Sequence, residues 1–291
     1  MDLRKLNIFI TVCKYGSMSK AGENLYMSQP AISQAIHDLE EELNIKLFDR
    51  IKRQLILTHA GKTLLEYARR ILLLVEEAEN NISDIANMNR GRLRIGSSTT
   101  IGTYLLPKLI GEFKKCHQKI DIPFVIDNTQ VIKDKILDYE IDVALVEGPV
   151  HSDDIIVKPC YDDQLYLICS KDHPWASRRI INPNEIKGEN FIIREPGSGT
   201  REVIENTMAK HKLTYQIKHV LNNTETIIKA VEANIGISIV PKLAIQDKMG
   251  NVNFKKLDIK GVDFTRKFNI IYHKDKYISN IFKAFLDFLK I

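Results

Sequence analysis

Residues 64–85 read LLEYARRILLLVEEAENNISDI. A small or apolar residue recurs there at Leu64, Ala68, Ile71, Val75, Ala78, Ile82 and Ile85, in steps of 4-3-4-3-4-3. That alternation is the a/d seam of a coiled coil. At 1.5 Å of rise per residue the seam is roughly 30 Å long. One small domain does not bury so narrow and long a stripe well, so the expected partner is a second copy of the same helix. The chain reads differently on its two sides. Helix signals separated by tight turns precede the seam, and alternating strands and helices follow it.

The chain has 291 residues, enough for two or three domains. Its apolar runs, such as Ile71–Val75 and Val143–Val146, are far too short to span a membrane. Met1-Asp2-Leu3-Arg4-Lys5 lacks the apolar stretch of a secretory signal. Cys13, Cys116, Cys160 and Cys169 form no C-x-x-C pair, which suits reduced, buried thiols in a cytoplasmic protein better than a redox sensor. The net charge of +5 permits nucleic-acid binding without demanding it. The basic character is local: Lys46, Arg50, Lys52 and Arg53 crowd one stretch, while Glu40, Glu41 and Glu42 lie apart.

Upstream of the seam, residues 2–15 read as a helix with Leu3, Leu6, Ile10 and Cys13 on one side. Gly16 and Ser17 stop it and start a short helix over 18–25. Ser28 is the expected N-cap of a third helix, with Pro30 in its first turn. Ile32, Ile36, Leu39 and Leu43 then face inward, leaving Gln29, Ser33, Gln34 and His37 outward. Such polar side chains on the N-terminal face of a helix are the type that reads base edges in a major groove. Leu47-Phe48-Asp49-Arg50 and Gln54-Leu55-Ile56-Leu57 read as a two-stranded wing. Arg50, Lys52 and Arg53 near its tip would meet phosphates or the minor groove. Thr58 caps the long helix. A polar helix face alone is equally a solvated surface; the short helix, polar third helix, basic wing and rod in that order are far more specific.

Gly16-Ser17-Met18-Ser19-Lys20-Ala21, Leu25, Ser28-Gln29-Pro30-Ala31-Ile32-Ser33, Leu39-Glu40, Leu43, Leu47-Phe48, Arg50 and Thr58-His59-Ala60-Gly61 resemble the signature of the LysR-type transcriptional regulators. The resemblance implies a winged helix-turn-helix over 1–58, a linker coiled-coil helix over 59–89 and a two-lobed effector domain, like the type 2 periplasmic binding proteins, over 90–291. It implies groove contacts by Gln29, Pro30, Ser33 and Gln34 and wing contacts by Arg50 and Arg53. It also implies a homodimer or homotetramer on a double-stranded DNA operator, an activator with RNA polymerase as a further partner, and no membrane. Two residues depart from the signature. Gly22 replaces the usual alanine, at an expected cost to the short helix of up to about 1 kcal/mol. Asn44 stands for the usual glycine, and asparagine tolerates the left-handed conformation of a helix end.

After Gly91 the pattern becomes α/β, with parallel pairing expected. Strands are expected at 93–96, 122–126, 143–146, 164–169, 191–194, 216–221, 236–240 and 268–272. Helices are expected at 101–115, 129–138, 199–211, 225–234 and 278–290. Lobe I covers about 90–161 and 266–291, lobe II about 162–265, with crossovers near Tyr161 and Thr265. Cleft candidates sit where strands give way to helix N-termini, where free N–H groups favour anions. They are Ser97, Ser98, Thr99 and Thr100; Asn128 and Thr129; Glu147; Gly199, Thr200 and Arg201; and Thr224. Hydroxyls, helix N-termini and Arg201 together suit a small anion or carboxylate. Each hydroxyl taken alone is more often a helix cap. Glu147 and Glu225 could oppose an anion, pair with Arg201, or hold an amine.

The loop Pro196-Gly197-Ser198-Gly199-Thr200-Arg201 has no Gly-Lys-Ser/Thr and is not a nucleotide P-loop. It resembles the loop of LysR-type regulators of inorganic sulfur use and carbon fixation. No catalytic motif, metal-ligand spacing or cofactor fingerprint stands out, so neither an enzyme nor a cofactor is expected. Trp175 is expected to anchor a surface or pack a lobe. Together these features point to a DNA-binding regulator sensing a small anion or acidic metabolite. The alternative is a solute-binding protein with no DNA role, which would carry an export signal and lack the basic wing. A hydrolase or transferase built on the Ser/Thr-rich loop would need a base near Ser98 or Ser198, and no histidine is placed for that.

Overall fold

The computed structural model describes residues 1–51, 54–86, 91–246 and 253–290, in two compact units, Met1–Ala86 and Asn87–Ile291. Lys52 and Arg53 lie outside the described residues, as do the side chains of Arg50 and Ile85.

The first unit comprises α1 (Leu3–Tyr15), α2 (Met18–Leu25), α3 (Gln29–Leu43), β1 (Phe48–Ile51), β2 (Gln54–Leu57) and α4 (His59–Ala86). Its boundaries follow from capping. Gly16 ends α1 at φ 60°, and Ser17 accepts from the Lys20 N–H to start α2. Ser28 accepts from the Ala31 N–H at the start of α3, and Asn44 ends that helix at φ 51°. The expected penalty at Gly22 is corrected by its surroundings. A Cβ there would stand 2.6 Å from the Met27 carbonyl oxygen, so glycine lets the helix pack against the turn that follows it.

Glu40 organises the passage from α3 to the wing. Its buried carboxylate accepts from the Leu47 N–H at 2.9 Å, the Phe48 N–H at 3.3 Å and the Lys46 ammonium at 2.6 Å. The Thr58 hydroxyl donates to the Lys46 carbonyl at 2.8 Å and accepts from the Gly61 N–H at 3.0 Å, tying the start of α4 to the same turn. β1 and β2 pair antiparallel, Phe48 opposite Leu57.

The seam on α4 divides. Leu64, Ala68 and Ile71 pack against the core formed by Leu6, Phe9, Val12, Ile32, Ile36 and Leu39. Ala68 has no exposed surface. It is therefore a core residue of its own unit and cannot touch a partner, which corrects its place in the expected dimer seam; α4 packs along α1 and uses that face internally. Further along, Ala78 is exposed and Ile82 is 68% exposed. Tyr67 and Leu74 extend the exposed apolar stripe.

The second unit begins with β3 (Gly91–Arg92), β4 (Ile95–Ser98), α5 (Thr99–Tyr104), α6 (Leu106–Cys116), β5 (Ile120–Asp121), β6 (Phe124–Asp127), α7 (Thr129–Leu137) and β7 (Val143–Glu147). It continues with β8 (Ile155–Ser170), β9 (Ile180–Ile181), β10 (Asn190–Arg194), α8 (Gly199–Lys210), β11 (Gln216–Leu221) and α9 (Thr224–Glu232). β12 (Ser238–Pro241), α10 (Lys242–Ile245), β13 (Phe254–Ile259), β14 (Phe264–His273) and α11 (Asn280–Phe288) complete it. In lobe I the order is β6-β4-β7-β14-β8, with β4 parallel to both neighbours. β7 is buried on both faces. Val143 and Leu145 join one core with Phe113, Phe282 and Phe285, while Ala144 and Val146 join another with Ile132 and Ile136. α11 thus returns to lobe I.

Three expectations need correction. β8 has 16 residues, well over twice the expected 164–169, because its first half crosses between the lobes beside β14. β14 pairs antiparallel with β7 and β8, so the sheet is mixed rather than parallel. The expected helix over 101–115 breaks at Leu105 into α5 and α6, with Pro107 in the first turn of α6. Lobe II packs β8, β12 and β13 antiparallel and β10 and β11 parallel around two cores. Trp175 is buried in one of them, a lobe-packing residue.

Glu40→Ala should destabilise the first unit by roughly 1–3 kcal/mol, since it strands the buried Leu47 N–H. Burial pushes the Glu40 carboxyl up, but Lys46 and the two N–H groups outweigh it and hold the pKa below the usual carboxylate range. The charged form therefore adds stability above that range, and the addition is lost as pH falls through the lowered value. Chemical denaturation of both proteins should show the gap between them narrowing in acid; a gap independent of pH would contradict this account.

Candidate functional site

α3 carries the candidate nucleic-acid face. Gln29, Pro30, Gln34 and His37 are exposed and Ser33 is partly so, on the side opposite the buried Ile32, Ile36 and Leu39. Gln34 donates to Asp38 at 2.7 Å, and the His37 ring lies 3.3 Å from Glu41. Both contacts are four residues apart along an exposed helix face and can be exchanged for contacts to another molecule.

In the second unit, the ends of β4, β7 and β10 and the starts of α5, α8 and α9 meet where the lobes face each other. Glu147, at the end of β7, is 1% exposed. One of its oxygens accepts from the Thr100 hydroxyl at 3.0 Å and the Thr200 hydroxyl at 3.1 Å. Thr100 belongs to lobe I and Thr200 to lobe II, so this carboxylate joins the two. The Arg266 guanidinium donates to the Thr200 oxygen at 2.8 Å and to Asp163 at 2.7 Å, and lies 3.6 Å from the other Glu147 oxygen. Burial pushes the Asp163 carboxyl up, against the pull of Arg266. Three buried atoms make no hydrogen bond among the described residues: Ser98 Oγ, Glu147 Oε2 and Arg266 Nη2; the last two face each other at 3.6 Å, and Nη2 also lies 2.7 Å from Asp163 as an ion pair.

The backbone permits this closeness at Gly199. A Cβ there would stand 1.8 Å from the Glu147 carbonyl oxygen. Thr129 donates to the same carbonyl at 3.0 Å, and the Gln130 N–H donates to the Gly197 carbonyl at 3.1 Å.

The capping question has different answers at different helices. Asn128, Ser198 and Asn223 accept from N–H groups of α7, α8 and α9 and act as caps. Ser98 occupies the same position before α5 and makes no such bond. Ser97 donates to the Ser98 carbonyl at 3.1 Å, and Thr99 to the Asp127 carbonyl at 3.3 Å.

Arg201 does not enter the site. It donates to Glu205 at 2.8 Å and to the Arg194 carbonyl at 3.1 Å, which corrects its expected role as the anion-facing charge. The i,i+4 spacing of Arg201 and Glu205 on α8 draws the guanidinium along the helix. Glu147 is correspondingly partnered by Arg266 rather than Arg201.

The positive charges at the site come from two arginines that the sequence reading missed, Arg194 and Arg266. Arg194 is 2% exposed and pairs with Glu195 at 2.7 and 2.9 Å. It also reaches Thr224 and, across the cleft, Thr99, each at 3.3 Å. Tyr104 of lobe I donates to Glu225 of lobe II, a second bond across the cleft. A strand-end arginine next to a glutamate gives no signal in sequence, since the pattern also fits an exposed ion pair.

Cys169 is buried and Cys13 and Cys160 are partly so, all three as free thiols. Burial pushes the Cys13 thiol up to about 12 and those of Cys160 and Cys169 to about 11. No group of three or more metal-ligating side chains occurs among the described residues.

Comparison with known proteins agrees with this architecture. Residues 3–62 match the model of the bacterial regulatory helix-turn-helix protein, lysR family, and residues 86–290 match the LysR substrate binding domain. The chain is 32% identical to an uncharacterised HTH-type transcriptional regulator, YeiE of Escherichia coli K12, over 99% of this chain and 97% of the relative. It is 30% identical to the HTH-type transcriptional activator CmpR of Synechocystis PCC 6803, over 99% and 94%. A structure of the Synechocystis CcmR regulatory domain in complex with 2-PG superposes with a TM-score of 0.64 at 30% identity, covering 69% of this chain and 96% of that one. A helix-turn-helix of the lysR type at one end and a LysR substrate binding domain over the rest make this chain a member of the LysR family of DNA-binding transcriptional regulators.

Proposed function

We propose that this regulator is a cytoplasmic homo-oligomer that activates transcription when a small anion or acidic metabolite occupies the cleft between the lobes of its effector domain. The observation that carries this reading is the buried Ser98 hydroxyl, which has no hydrogen-bond partner among the described residues, beside a Glu147 oxygen whose nearest countercharge, Arg266, stands 3.6 Å away without a hydrogen bond. Buried polar groups without partners are costly, and a ligand that satisfies them gains that energy on binding. Ser98 Oγ offers a hydrogen to an oxyanion; the Arg266 and Arg194 guanidiniums, now paired with Glu147, Asp163 and Glu195, would exchange part of that pairing to face its charge. Glu147 Oε2 asks for a hydrogen in return. The best effector is therefore an oxyanion or acid that also carries a donor hydroxyl. The related CcmR domain holds 2-PG and the related CmpR is an activator, which supports both halves of the reading. Of the expected residues, Ser98, Thr99, Thr100, Thr129, Glu147, Gly199, Thr200 and Thr224 belong to this site, and Arg194 and Arg266 join them.

Effector binding shifts the population toward one lobe arrangement, because Thr100, Glu147 and Thr200 connect the lobes directly. The changed effector domain then resets the spacing of the paired readers on the operator. Exposed apolar surface supports the oligomer: Leu74, Ala78 and Ile82 on α4, and the edge strands β6 and β11 with Phe124, Ile126, Ile217 and Val220. No helix among the described residues is long and apolar enough to cross a membrane.

Mass spectrometry of ligand carried by the purified protein tests the effector class, and calorimetry with inorganic phosphate, sulfate and 2-PG tests the site. Thr100→Ala and Thr200→Ala should each weaken the anion that binds by roughly 1–3 kcal/mol while leaving ligand-free DNA affinity unchanged. Normal binding in both variants, with only earlier melting, would remove these hydroxyls from the site.

At the DNA, Gln29→Ala should lose about 1–3 kcal/mol on the cognate operator and little on random sequence. Equal operator affinity in gel-shift titrations would displace α3 as the reading helix. In the rod, Ile82→Asp places an unpaired carboxylate on the exposed stripe, away from the core that holds the first unit together. Sedimentation should show fewer oligomers with an unchanged melting profile; a fully assembled variant would put the main interface elsewhere.

A further inference from the structure

The turn between α2 and α3 holds a side chain that the fold does not explain. Tyr26 follows α2 at φ 54° and ψ 39°, in the left-handed region. Its backbone is well used there. The Tyr26 N–H donates to the Glu23 carbonyl at 3.4 Å, and the Met27 N–H donates to the Gly22 carbonyl at 2.9 Å. Met27 packs on the core of the unit and Ser28 caps α3, so both sides of the turn are fixed. The phenol of Tyr26 shares none of this. The residue is 97% exposed, the largest value among the exposed large apolar and aromatic residues described, and its hydroxyl has no hydrogen-bond partner among the described residues.

The same unit shows which residues suit such a backbone. α1 ends in the left-handed region at Gly16 and α3 at Asn44. Glycine has no Cβ to clash, and the short polar side chain of asparagine bears the conformation better than an aromatic one. A tyrosine at the end of α2 therefore adds backbone strain and gains no packing. Whatever offsets that strain lies outside the chain. Gln29 and Pro30, exposed in the first turn of α3, follow three and four residues later. When the start of such a helix reads base edges in a major groove, the turn before it stands at the groove wall, where the sugar-phosphate backbone runs. A phenol fits that wall, with one O–H to give to a phosphate oxygen and an apolar ring to lie on a deoxyribose.

We propose that Tyr26 is a DNA contact, its hydroxyl donating to a phosphate oxygen at the edge of the groove that α3 reads and its ring lying on the adjoining deoxyribose. The contact is neutral, which separates it from a lysine or arginine on a phosphate. A cation there releases counterions and steepens the salt dependence of binding; a phenol does neither. The contact carries no base information, which separates it from Gln29. Its effect is to fix the depth and register at which α3 lies in the groove. The inference rests on α3 as the reading helix and is independent of any effector.

The test uses the full chain and two DNA duplexes: one that the unsubstituted protein selects from a random-sequence library, and a scrambled duplex of the same length and composition. Affinities are titrated over a series of salt concentrations. Tyr26→Phe keeps the ring and removes the donor. It should weaken binding about tenfold on both duplexes, since a hydrogen bond to a charged oxygen is lost, and leave the salt slope unchanged. Tyr26→Asn removes the ring and suits the left-handed backbone. It should weaken both duplexes at least as much, yet melt no earlier than the unsubstituted protein. Weaker DNA binding in a protein that is equally or more stable is a result that a purely structural tyrosine does not give. Undiminished binding of both duplexes by Tyr26→Phe overturns the proposal. A loss confined to the selected duplex also overturns it and makes Tyr26 a reader of base edges. A flatter salt slope in Tyr26→Phe overturns it because a cation has then been displaced, and earlier melting of Tyr26→Asn overturns it because the ring then supports the fold. Gln29→Ala reports separately on α3, through a loss on the selected duplex alone.

Discussion

A buried carboxylate is stable only where hydrogen bonds and countercharge replace its water, and Glu147 draws both from distant parts of the chain. Thr100 comes from the first helix of lobe I, Thr200 from the first loop–helix junction of lobe II, and Arg266 from the returning crossover strand. Removing any of them leaves a charge in the interior with less compensation. The same contacts therefore hold the lobes at one angle and shape the place where a ligand would sit. A molecule that changes the partners of Glu147 necessarily changes the contact between the lobes, with no separate relay needed.

Close backbone approach makes this network attainable. Gly199 brings the start of α8 against the end of β7 at a distance that excludes any side chain, and Gly148, at φ 82°, turns the chain away just beyond. The crossover strands add stiffness. β8 and β14 pair continuously from Ile155 to Leu165 apart from one register shift at Phe268 and Asn269. Asp163 and Arg266 lie opposite each other in that ladder, so the buried ion pair is also a cross-strand pair. The charge that faces Thr200 is thus carried by the hinge itself.

The reader domain was legible because its information is local. Caps at Ser17, Ser28 and Thr58 and left-handed ends at Gly16 and Asn44 are decisions of a few neighbouring residues, and the boundaries of α2 and α3 follow from them. The hydroxyl-bearing ends of β4 and α8 were legible for the same reason. What sequence could not separate was a capping hydroxyl from one that caps nothing: Ser98 and Ser198 precede helices in the same way, and only the second closes a capping bond. Arg201 looked the better charge because it stands inside the glycine-rich loop, yet Glu205 one turn later captures it. Arg194 and Arg266 gained their roles from tertiary neighbours 95 and 66 positions away, respectively. The first half of β8 escaped notice because a strand pairing beside a hinge alternates irregularly between solvent and core.

The seam on α4 teaches the complementary lesson about periodicity. A 4-3 repeat states that one helix face is apolar, but it does not state what covers that face. Here two different surfaces share it. From Leu64 to Ile71 the stripe packs on the α1–α3 core, and Ala68 is small because α1 lies close against it. Beyond Leu73 that core has ended, and Leu74, Ala78 and Ile82 are left to solvent. Apolar residues spaced along an exposed face lose little by being covered and gain roughly 25 cal/mol for each Å² removed from water. A helix anchored at one end and apolar at the other is rigid where it joins its own reader and unsatisfied where it leaves it. That arrangement fixes the direction in which the stripe is presented, so association through it would also set how two readers face a single operator.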